Sequence, residues 1–136
     1  MASLQNTTFT TSSTTVNLTV PTAGTGLAFD KAGYFSGTAL TSGVTIAWDV
    51  AANQVTGLTL AHNAIMAAAT NQVNGGVYIL KVTQGVSTKT LSWNSNYKWP
   101  GGTAPTMTGT ASAIDVFTFV SDGINMFGYF SVSQNF

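Results

Sequence analysis

The chain has 136 residues, of which 44% are hydrophobic and only 6% are charged, and its four lysines balance its four aspartates. This length fits a single domain, and the absence of cysteine excludes disulfide scaffolds, thiol catalysis and zinc sites with cysteine ligands. A chain of zero net charge without arginine also lacks the basic surface that nucleic-acid binding requires, so we expect no nucleic-acid partner.

Small hydroxyl side chains take the place of the missing charges, since 35 residues are threonine or serine. Threonine is β-branched and suits the half-exposed face of a pleated sheet. Because proteins with a net charge near zero lack the repulsion that opposes association, we predict that this surface is covered by copies of the chain or by a larger assembly. The alternative is a soluble monomer with an unusually neutral surface.

The apolar runs are all shorter than ten residues, whereas a membrane-spanning helix needs about 20. The first fifteen residues lack the basic and apolar regions of a secretory signal. We therefore expect neither membrane insertion nor a signal peptide. The composition also indicates no metal site and no cofactor.

Residues 1–15 (MASLQNTTFTTSSTT) are polar and uncharged, and Leu4 and Phe9 are their only sizeable apolar anchors after Met1. We predict an extended N-terminal arm that orders against a neighbour, with Leu4 and Phe9 as contact residues. A disordered lead is the alternative. The remainder, residues 16–136, is predicted to form a single β-sandwich domain.

From residue 16 onwards, short alternating runs are separated by turn residues, which is the pattern of β-strands. Apolar and polar residues alternate at 16–20, 44–49 and 55–60. Asn74 and the two glycines that follow it mark a turn before an apolar run at 77–83. A further run at 88–93 follows Gly85, and these two runs are predicted to form a hairpin.

The strand pattern is clearest in the last third of the chain. Residues 116–120 (VFTFV) alternate aromatic and smaller side chains, and Ser-Asp-Gly at 121–123 is a tight-turn sequence because glycine accepts a positive φ. The chain returns at 126–132 with apolar residues on both faces. We predict a hairpin whose second strand is buried on both sides, either between two sheets or between a sheet and another subunit.

One segment has a helical composition: residues 63–70 contain four alanines, and Asn63 is a suitable N-cap. Eight residues are too few for an isolated helix to be stable, so a short helix and a loop both remain open. Seven to nine short strands dominate the pattern. The predicted fold class is therefore all-β, an antiparallel β-sandwich or jelly roll with a short extended N-terminal arm.

Candidate catalytic groups are few. No spacing ties His62, the only histidine, to an acid and a nucleophile. Asp115 and Asp122 flank one predicted strand, and paired carboxylates are the machinery of glycoside hydrolysis. Asp122 lies in a turn sequence, however, and Asp115 precedes an apolar strand, so structural roles are favoured for both. A small glycan hydrolase is the last-ranked hypothesis, and we predict that the chain is not an enzyme.

The most distinctive segment is residues 93–102 (WNSNYKWPGG), in which two tryptophans and a tyrosine lie within seven positions. Tryptophan and tyrosine dominate interface hot spots and also stack on sugars. Two interpretations of Tyr97 and Trp99 stay open: contact residues for a partner or ligand, or side chains that pin a loop. For Trp93 a position in the core is favoured.

A distinctive succession of motifs begins at residue 75. Its segments are GGVYILKVTQ at 75–84, LSW at 91–93, YKWPGG at 97–102, APT at 104–106, DVF at 115–117, FVSDG at 119–123 and FG at 127–128. This succession resembles a β-rich module of tailed-bacteriophage virion proteins, notably the C-terminal parts of tail fibres and other appendages. The resemblance covers residues 44–132 and is most specific in its second half. It implies a β-sandwich that forms homotrimers on the outside of a virion, and it implies no catalytic mechanism.

Fibre modules of this kind usually follow a long shaft or an anchoring domain, whereas here a short neutral arm precedes the module. We therefore expect a head decoration (cement) protein, made in the host cytoplasm, that binds the major capsid protein or another virion protein on the capsid exterior. The alternative is the tip of a tail appendage, where Tyr97 and Trp99 would stack on host glycans.

Overall fold

A computed structural model describes Phe35 and residues 37–129 of the chain. The predicted arm at 1–15, with Leu4 and Phe9, and the predicted strand at 16–20 lie outside the described residues. The described elements are eight strands, β1 (Thr45–Ile46), β2 (Val55–Leu60), β3 (Ala64–Met66), β4 (Asn74–Gln84), β5 (Leu91–Trp93), β6 (Tyr97–Lys98), β7 (Ile114–Asp122) and β8 (Met126–Tyr129), and a 3₁₀ turn at Pro100–Gly102.

The strands form two sheets. One has three strands in the order β1-β3-β5, and the other has five in the order β2-β4-β7-β8-β6. The first five strands alternate between the two sheets along the chain, so each pairs with the strand two places before or after it. These pairings, β1 with β3, β3 with β5 and β2 with β4, are all parallel.

The prediction of an all-β fold is confirmed for the described residues, and the strands are mixed in direction. Antiparallel pairing, as predicted, joins β4 to β7 and β7 to β8. The remaining pairings, including β6 with β8, are parallel. For the first five strands, parallel pairing follows from the alternation between sheets, because a chain that crosses to the other sheet and returns runs again in its original direction.

One hydrophobic core contains side chains from both sheets. The three-stranded sheet contributes Ile46 and Met66, and the five-stranded sheet contributes Leu80, Phe117 and Phe119. Along β7 the buried and less buried residues alternate, which is the period-two pattern of a sheet with one face on a core. The two aromatic residues of the alternating run at 116–120, Phe117 and Phe119, are the ones that face the core.

The predicted tight turn at 121–123 is also confirmed. Gly123 has a φ of 93°, which an L-residue with a side chain rarely adopts. Asp122 closes the turn, because its Oδ1 accepts hydrogen bonds from the backbone N–H of Ile124 (2.9 Å) and of Asn125 (2.6 Å). The hairpin of β7 and β8 follows from this turn.

Two expectations about local structure are wrong. Residues 63–70 form neither a helix nor a loop: they contain β3, and Thr70 makes a parallel bridge with Asp49. The runs at 77–83 and 88–93 do not form a hairpin, because β4 and β5 belong to different sheets. The strand that begins at Met126 leaves Phe127 and Tyr129 exposed in a single chain, so its burial on both sides by another subunit stays a prediction.

The only helical element in the described part of the chain is the 3₁₀ turn. None of the helical structure found among these residues is long and apolar enough to cross a membrane.

Candidate functional site

The aromatic segment singled out in the sequence forms a cluster centred on Trp93. Its ring centroid lies 5.1 Å from that of Tyr97, 5.0 Å from that of Trp99 and 5.0 Å from that of Phe117. All three pairs meet edge to face, the arrangement that the quadrupoles of aromatic rings favour. The cluster therefore joins β5, β6 and β7 through side chains that the sequence separates by up to 24 positions.

Tyr97 and Trp99 occupy different depths in this cluster. Tyr97 is 4% exposed and shares the inward side of the sheet with its neighbour Met126. Trp99 is half-buried, and its indole ring lies directly against the backbone of Gly128. A side chain at position 128 would clash with this ring, because its Cβ would lie 2.6 Å from Trp99 Cε3. Both residues therefore pin the segment to the core, as one interpretation predicted, and their part in binding stays a prediction.

A cavity of about 600 Å³ opens beside this cluster. Trp93, Tyr97 and Trp99 line it together with Leu91 and Met107. The volume falls within the ~300–1,000 Å³ of typical small-molecule sites, and the mixture of aromatic and polar lining is also typical of them. Among the lining residues, Lys89 is the only one with a formal charge.

Each of the three aromatic residues carries a buried polar atom that has no hydrogen-bond partner in the structure: Trp93 Nε1, Trp99 Nε1 and Tyr97 Oη. Burial also raises the pKa of the Tyr97 phenol well above its ordinary value of 10.0. By contrast, Trp48, deep in the core, donates its Nε1–H to the carbonyl oxygen of Asn53 at 2.8 Å. Unpartnered buried donors are uncommon, and here all three belong to residues that line one cavity.

Side-chain hydrogen bonds to the backbone and to a buried carboxyl hold the two loops that form the cavity walls. Gln84 bonds the backbone of Lys89 through both of its amide atoms, and Thr88 Oγ1 donates to the Gly109 carbonyl oxygen at 2.6 Å. On the facing loop, Thr108 donates its backbone N–H (2.7 Å) and its hydroxyl (2.9 Å) to the fully buried carboxyl of Asp115. The cavity is thus formed before any ligand binds.

A second candidate surface is the outer face of the five-stranded sheet, which we define as the alternate residues that point away from the core. Cross-strand neighbours align its apolar side chains in two rows, Val77-Val120-Phe127 and Val55-Ile79-Thr118-Tyr129. Four of these residues are 46–73% exposed, namely Val77, Val120, Phe127 and Tyr129. Contiguous exposed apolar patches on soluble proteins mark interaction sites.

The two carboxylates of the last-ranked hydrolase hypothesis do not form a pair. Asp115 is buried near the start of β7 and Asp122 is exposed at its end, on opposite faces of the strand. Seven residues of strand span ~23 Å, far beyond the roughly 5–9.5 Å between the carboxyl groups of a glycosidase. Hydrogen bonds from the backbone and side chain of Asn125 lower the pKa of Asp122, so its carboxylate serves the turn.

His62 is exposed, with Nδ1 3.4 Å from the hydroxyl oxygen of Ser42. That hydroxyl oxygen also accepts a hydrogen bond from the backbone N–H of Ala61, so His62 takes part in a local hydrogen-bond network. Asp49 is likewise a structural carboxylate: a hydrogen bond from Asn71, with further ones from the backbone of residues 51 and 52, lowers its pKa. Within residues 37–129, no three side chains of His, Cys, Asp or Glu lie close enough together to hold a metal ion.

Comparison with known proteins gives no match: no protein-family model, no curated protein and no solved structure resembles the chain significantly.

Proposed function

We propose that the protein is a structural component of a bacteriophage virion, a homotrimer that decorates the head exterior and stabilises it. Its fold would be a β-sandwich with an N-terminal arm at residues 1–15 that reaches a neighbouring subunit. The motif resemblance at 44–132 supports the virion assignment and the trimer, and the low charge of the chain supports association with other protein surfaces.

The observation that carries this proposal is the outer face of the five-stranded sheet. A sheet with one face in contact with water normally presents polar side chains there. Here valine, isoleucine, phenylalanine and tyrosine take all but one of the positions in two aligned rows, the exception being Thr118. Polar residues, Thr59, Lys81 and Thr83, lie beside these rows on the same face. Burial of such a face contributes about 25 cal/mol per Å² before the cost of association is subtracted. We assign it to the contact between copies of the chain, because the zero net charge leaves no repulsion to oppose that contact.

Light scattering coupled to size-exclusion chromatography tests the trimer. The full chain at micromolar concentration should have three times the 14.1 kDa mass of one chain. Replacing Val120 and Phe127 together by serine should yield a folded monomer, because both side chains are about half exposed in one copy. The matched control is Val86→Ser, at an exposed loop position that lies outside the sheet, which should remain trimeric. A monomeric wild-type chain would overturn the homotrimer.

Location on the particle is tested separately, by imaging intact virions of the source phage with an antibody against the chain. Labels distributed over the head support decoration. Labels at the end of a tail appendage support the alternative, a receptor-binding tip that contacts host glycans. Particles that carry no label at all would remove the virion assignment.

A further inference from the structure

We propose that the edge of β5 that faces away from β3 accepts an extended strand from a second copy of the chain, contributed by residues 7–15 of its N-terminal arm. The inference rests on the proposed function in one respect, namely that the arm reaches a neighbouring subunit. It goes beyond that function by naming the site at which the arm binds. This site belongs to the three-stranded sheet and is separate from the outer face of the five-stranded sheet.

Within residues 37–129, the backbone of β5 is paired on one side only. The carbonyl oxygen of Thr90 and the N–H of Asn94 form hydrogen bonds with β3, at 2.9 Å and 3.0 Å. Because the backbone groups of successive strand residues point to opposite sides, those of Leu91 and Trp93 point away from β3. These N–H and C=O groups have no hydrogen-bond partner among the described residues, so they can pair with an added strand.

The cavity described above lies along this edge. Its lining includes all eight residues from 88 to 95. Because successive residues of a strand point to opposite faces, a cavity that contacts every one of them runs along the edge and not over one face. None of the lining residues belongs to β3, so the cavity lies on the side to which the backbone groups of Leu91 and Trp93 point.

The opposite wall of the cavity is a second segment of backbone without partners. It consists of Gly102 and residues 104–107, and the N–H and C=O groups of 104–107 have no backbone partner among the described residues. At one end the Thr88 hydroxyl donates to the carbonyl oxygen of Gly109 at 2.6 Å and joins the two walls. The cavity is therefore a slot between two backbones, held open within one chain, and we call it the β5 slot.

The other sheet edges carry features that oppose strand addition. Leu40 donates its N–H to β2 at 2.8 Å and covers that edge. β6 contains the charged Lys98 and is followed by Pro100, and β1 is extended by a bridge at the charged Asp49. Charges, prolines and covering segments are the devices that prevent pairing at an edge. The sequence of β5, LSW, has neither charge nor proline.

Residues 7–15 (TTFTTSSTT) match the β5 slot in chemistry. They comprise six threonines, two serines and Phe9, without charge, proline or glycine, and threonine favours strands. The slot is lined by uncharged side chains, many of them hydroxyls, with Lys89 as the one charged residue. Leu91 and Met107 in the lining offer an apolar contact for Phe9, the one large apolar side chain of the segment.

The linking segment is long enough for the arm to reach a neighbour. Residues 16–34 number 19 and can span up to about 65 Å when fully extended. Each copy then donates one arm and offers one slot, so a head-to-tail exchange closes into a ring with no arm or slot left over. Addition of an extended segment to an exposed sheet edge is also a common mode of peptide recognition.

Cysteine cross-linking of the full chain tests this contact, since the wild type contains no cysteine. Ser92→Cys, at the centre of the β5 edge, is combined in turn with Thr10→Cys, Thr11→Cys, Ser12→Cys and Ser13→Cys. Directly opposite residues of paired strands have Cα atoms about 4.5–5.5 Å apart, which a disulfide can bridge. We expect at least one combination to oxidise to bonds between chains, seen as linked dimers and trimers on a non-reducing gel.

The single-cysteine variants control for links between two arms or two edges and should give no linked chains. Thr41→Cys, exposed and outside the β5 slot, replaces Ser92→Cys as the matched control and should not link to the arm. A bond formed only within one chain, or no bond at any position, would overturn the inference. A trimer without these links overturns the arm contact alone, whereas linked chains in an assembly of another size overturn the homotrimer alone.

Amide hydrogen exchange gives a second readout, in which the domain itself is unchanged. In the assembled wild type the N–H groups of Leu91 and Trp93 should exchange slowly, because the added strand pairs with them. Thr10→Pro combined with Ser12→Pro removes two donors from the arm and should accelerate exchange at both positions about tenfold. The control is Asn94, whose N–H donates to β3 and should be unaffected. Equal exchange of Leu91 and Trp93 in the wild type and the proline variant would contradict strand addition.

Discussion

Gln84 is bonded to the backbone of Lys89 through both ends of its side-chain amide. Its Nε2 donates to the Lys89 carbonyl oxygen at 2.8 Å, and its Oε1 accepts the Lys89 N–H at 3.1 Å. The Gln84 side chain, which is 1% exposed, thus offers the Lys89 backbone one donor and one acceptor, as the backbone of a neighbouring strand would. Because the same loop lines the aromatic cavity, a core residue of β4 determines the shape of a surface site.

Replacement of Gln84 by methionine should destabilise the protein. Methionine has a similar length but leaves the part-buried N–H and carbonyl of Lys89 without their partners, at a cost of about 2–4 kcal/mol for the two bonds. Urea denaturation monitored by tryptophan fluorescence gives the free energy of unfolding. The control is Gln54→Met, which loses one partly exposed bond to the Val77 carbonyl and should cost less than about 1 kcal/mol. Equal losses in the two variants would contradict this account.

The contact of Trp99 with Gly128 predicts a second large effect. A Cβ at position 128 would lie 2.6 Å from Trp99 Cε3 and 2.8 Å from Cη2, so Gly128→Ala must displace the indole and should cost about 1–3 kcal/mol. Gly57→Ala is the control in β2, since its nearest neighbour, a carbonyl oxygen of Lys81, is 3.8 Å away. Thermal unfolding should show a lower Tm for the first variant alone.

The same contact can be tested by rescue. Combining Gly128→Ala with Trp99→Leu removes the ring that the new methyl group meets. The double variant should be more stable than the sum of the two single losses predicts, with a coupling of at least about 0.5 kcal/mol. Additive losses would show that the two residues do not interact.

The bond between Thr108 and Asp115 predicts an effect confined to one loop. Thr108→Val keeps the shape of the side chain and removes the hydroxyl that donates to the buried carboxyl, which should cost about 1–3 kcal/mol. Amide hydrogen exchange should also accelerate at residues 103–110, the part of the cavity wall held by this bond. Thr41→Val, at an exposed position outside the named strands, is the control and should change the free energy of unfolding by less than about 0.5 kcal/mol.

The hairpin of β7 and β8 could be predicted because its determinants are local. Alternation fixes which side of residues 116–120 faces the core, and the Ser-Asp-Gly turn is closed by hydrogen bonds within five residues. The same local rules separate buried Leu58 and Leu60 from exposed Thr59 in β2. The exposure of Phe127 and Tyr129 could not be inferred, because the alternating pattern does not say whether a second apolar face is covered.

The segment at 63–70 shows where local rules fail. Its alanines favour a helix, yet its backbone N–H groups pair with other segments: Ala64 donates to Thr90, Ala67 to Ile46 and Thr70 to Trp48. Helix propensity is worth less than 1 kcal/mol per residue and yields to such tertiary pairing. The cavity escaped prediction for a similar reason, since Met107 reaches it from a loop held by the distant Asp115. Only the tryptophans and Tyr97 of the site could be identified in the sequence.

Stability should fall at alkaline pH because of Tyr97. Burial raises the pKa of its phenol in the folded protein above the ordinary value of 10.0 that it has in the unfolded chain. Below about pH 10 both states keep the proton, so the free energy of unfolding does not depend on this group. Above that pH the unfolded chain loses the proton while the folded protein retains it. The unfolded state is thereby favoured, by up to about 1.4 kcal/mol for each further pH unit.

Urea denaturation of wild type and Tyr97→Phe between pH 8 and pH 11 isolates this contribution. At pH 8 the difference in unfolding free energy between the two proteins reports only the loss of the oxygen atom, which has no partner in the fold. As the pH rises past about 10, the wild type should lose stability relative to the variant, because phenylalanine has no proton to release. The other titrating groups are common to both proteins and cancel in the comparison. Parallel stability profiles over the whole range would show that the Tyr97 hydroxyl reaches solvent in the folded protein.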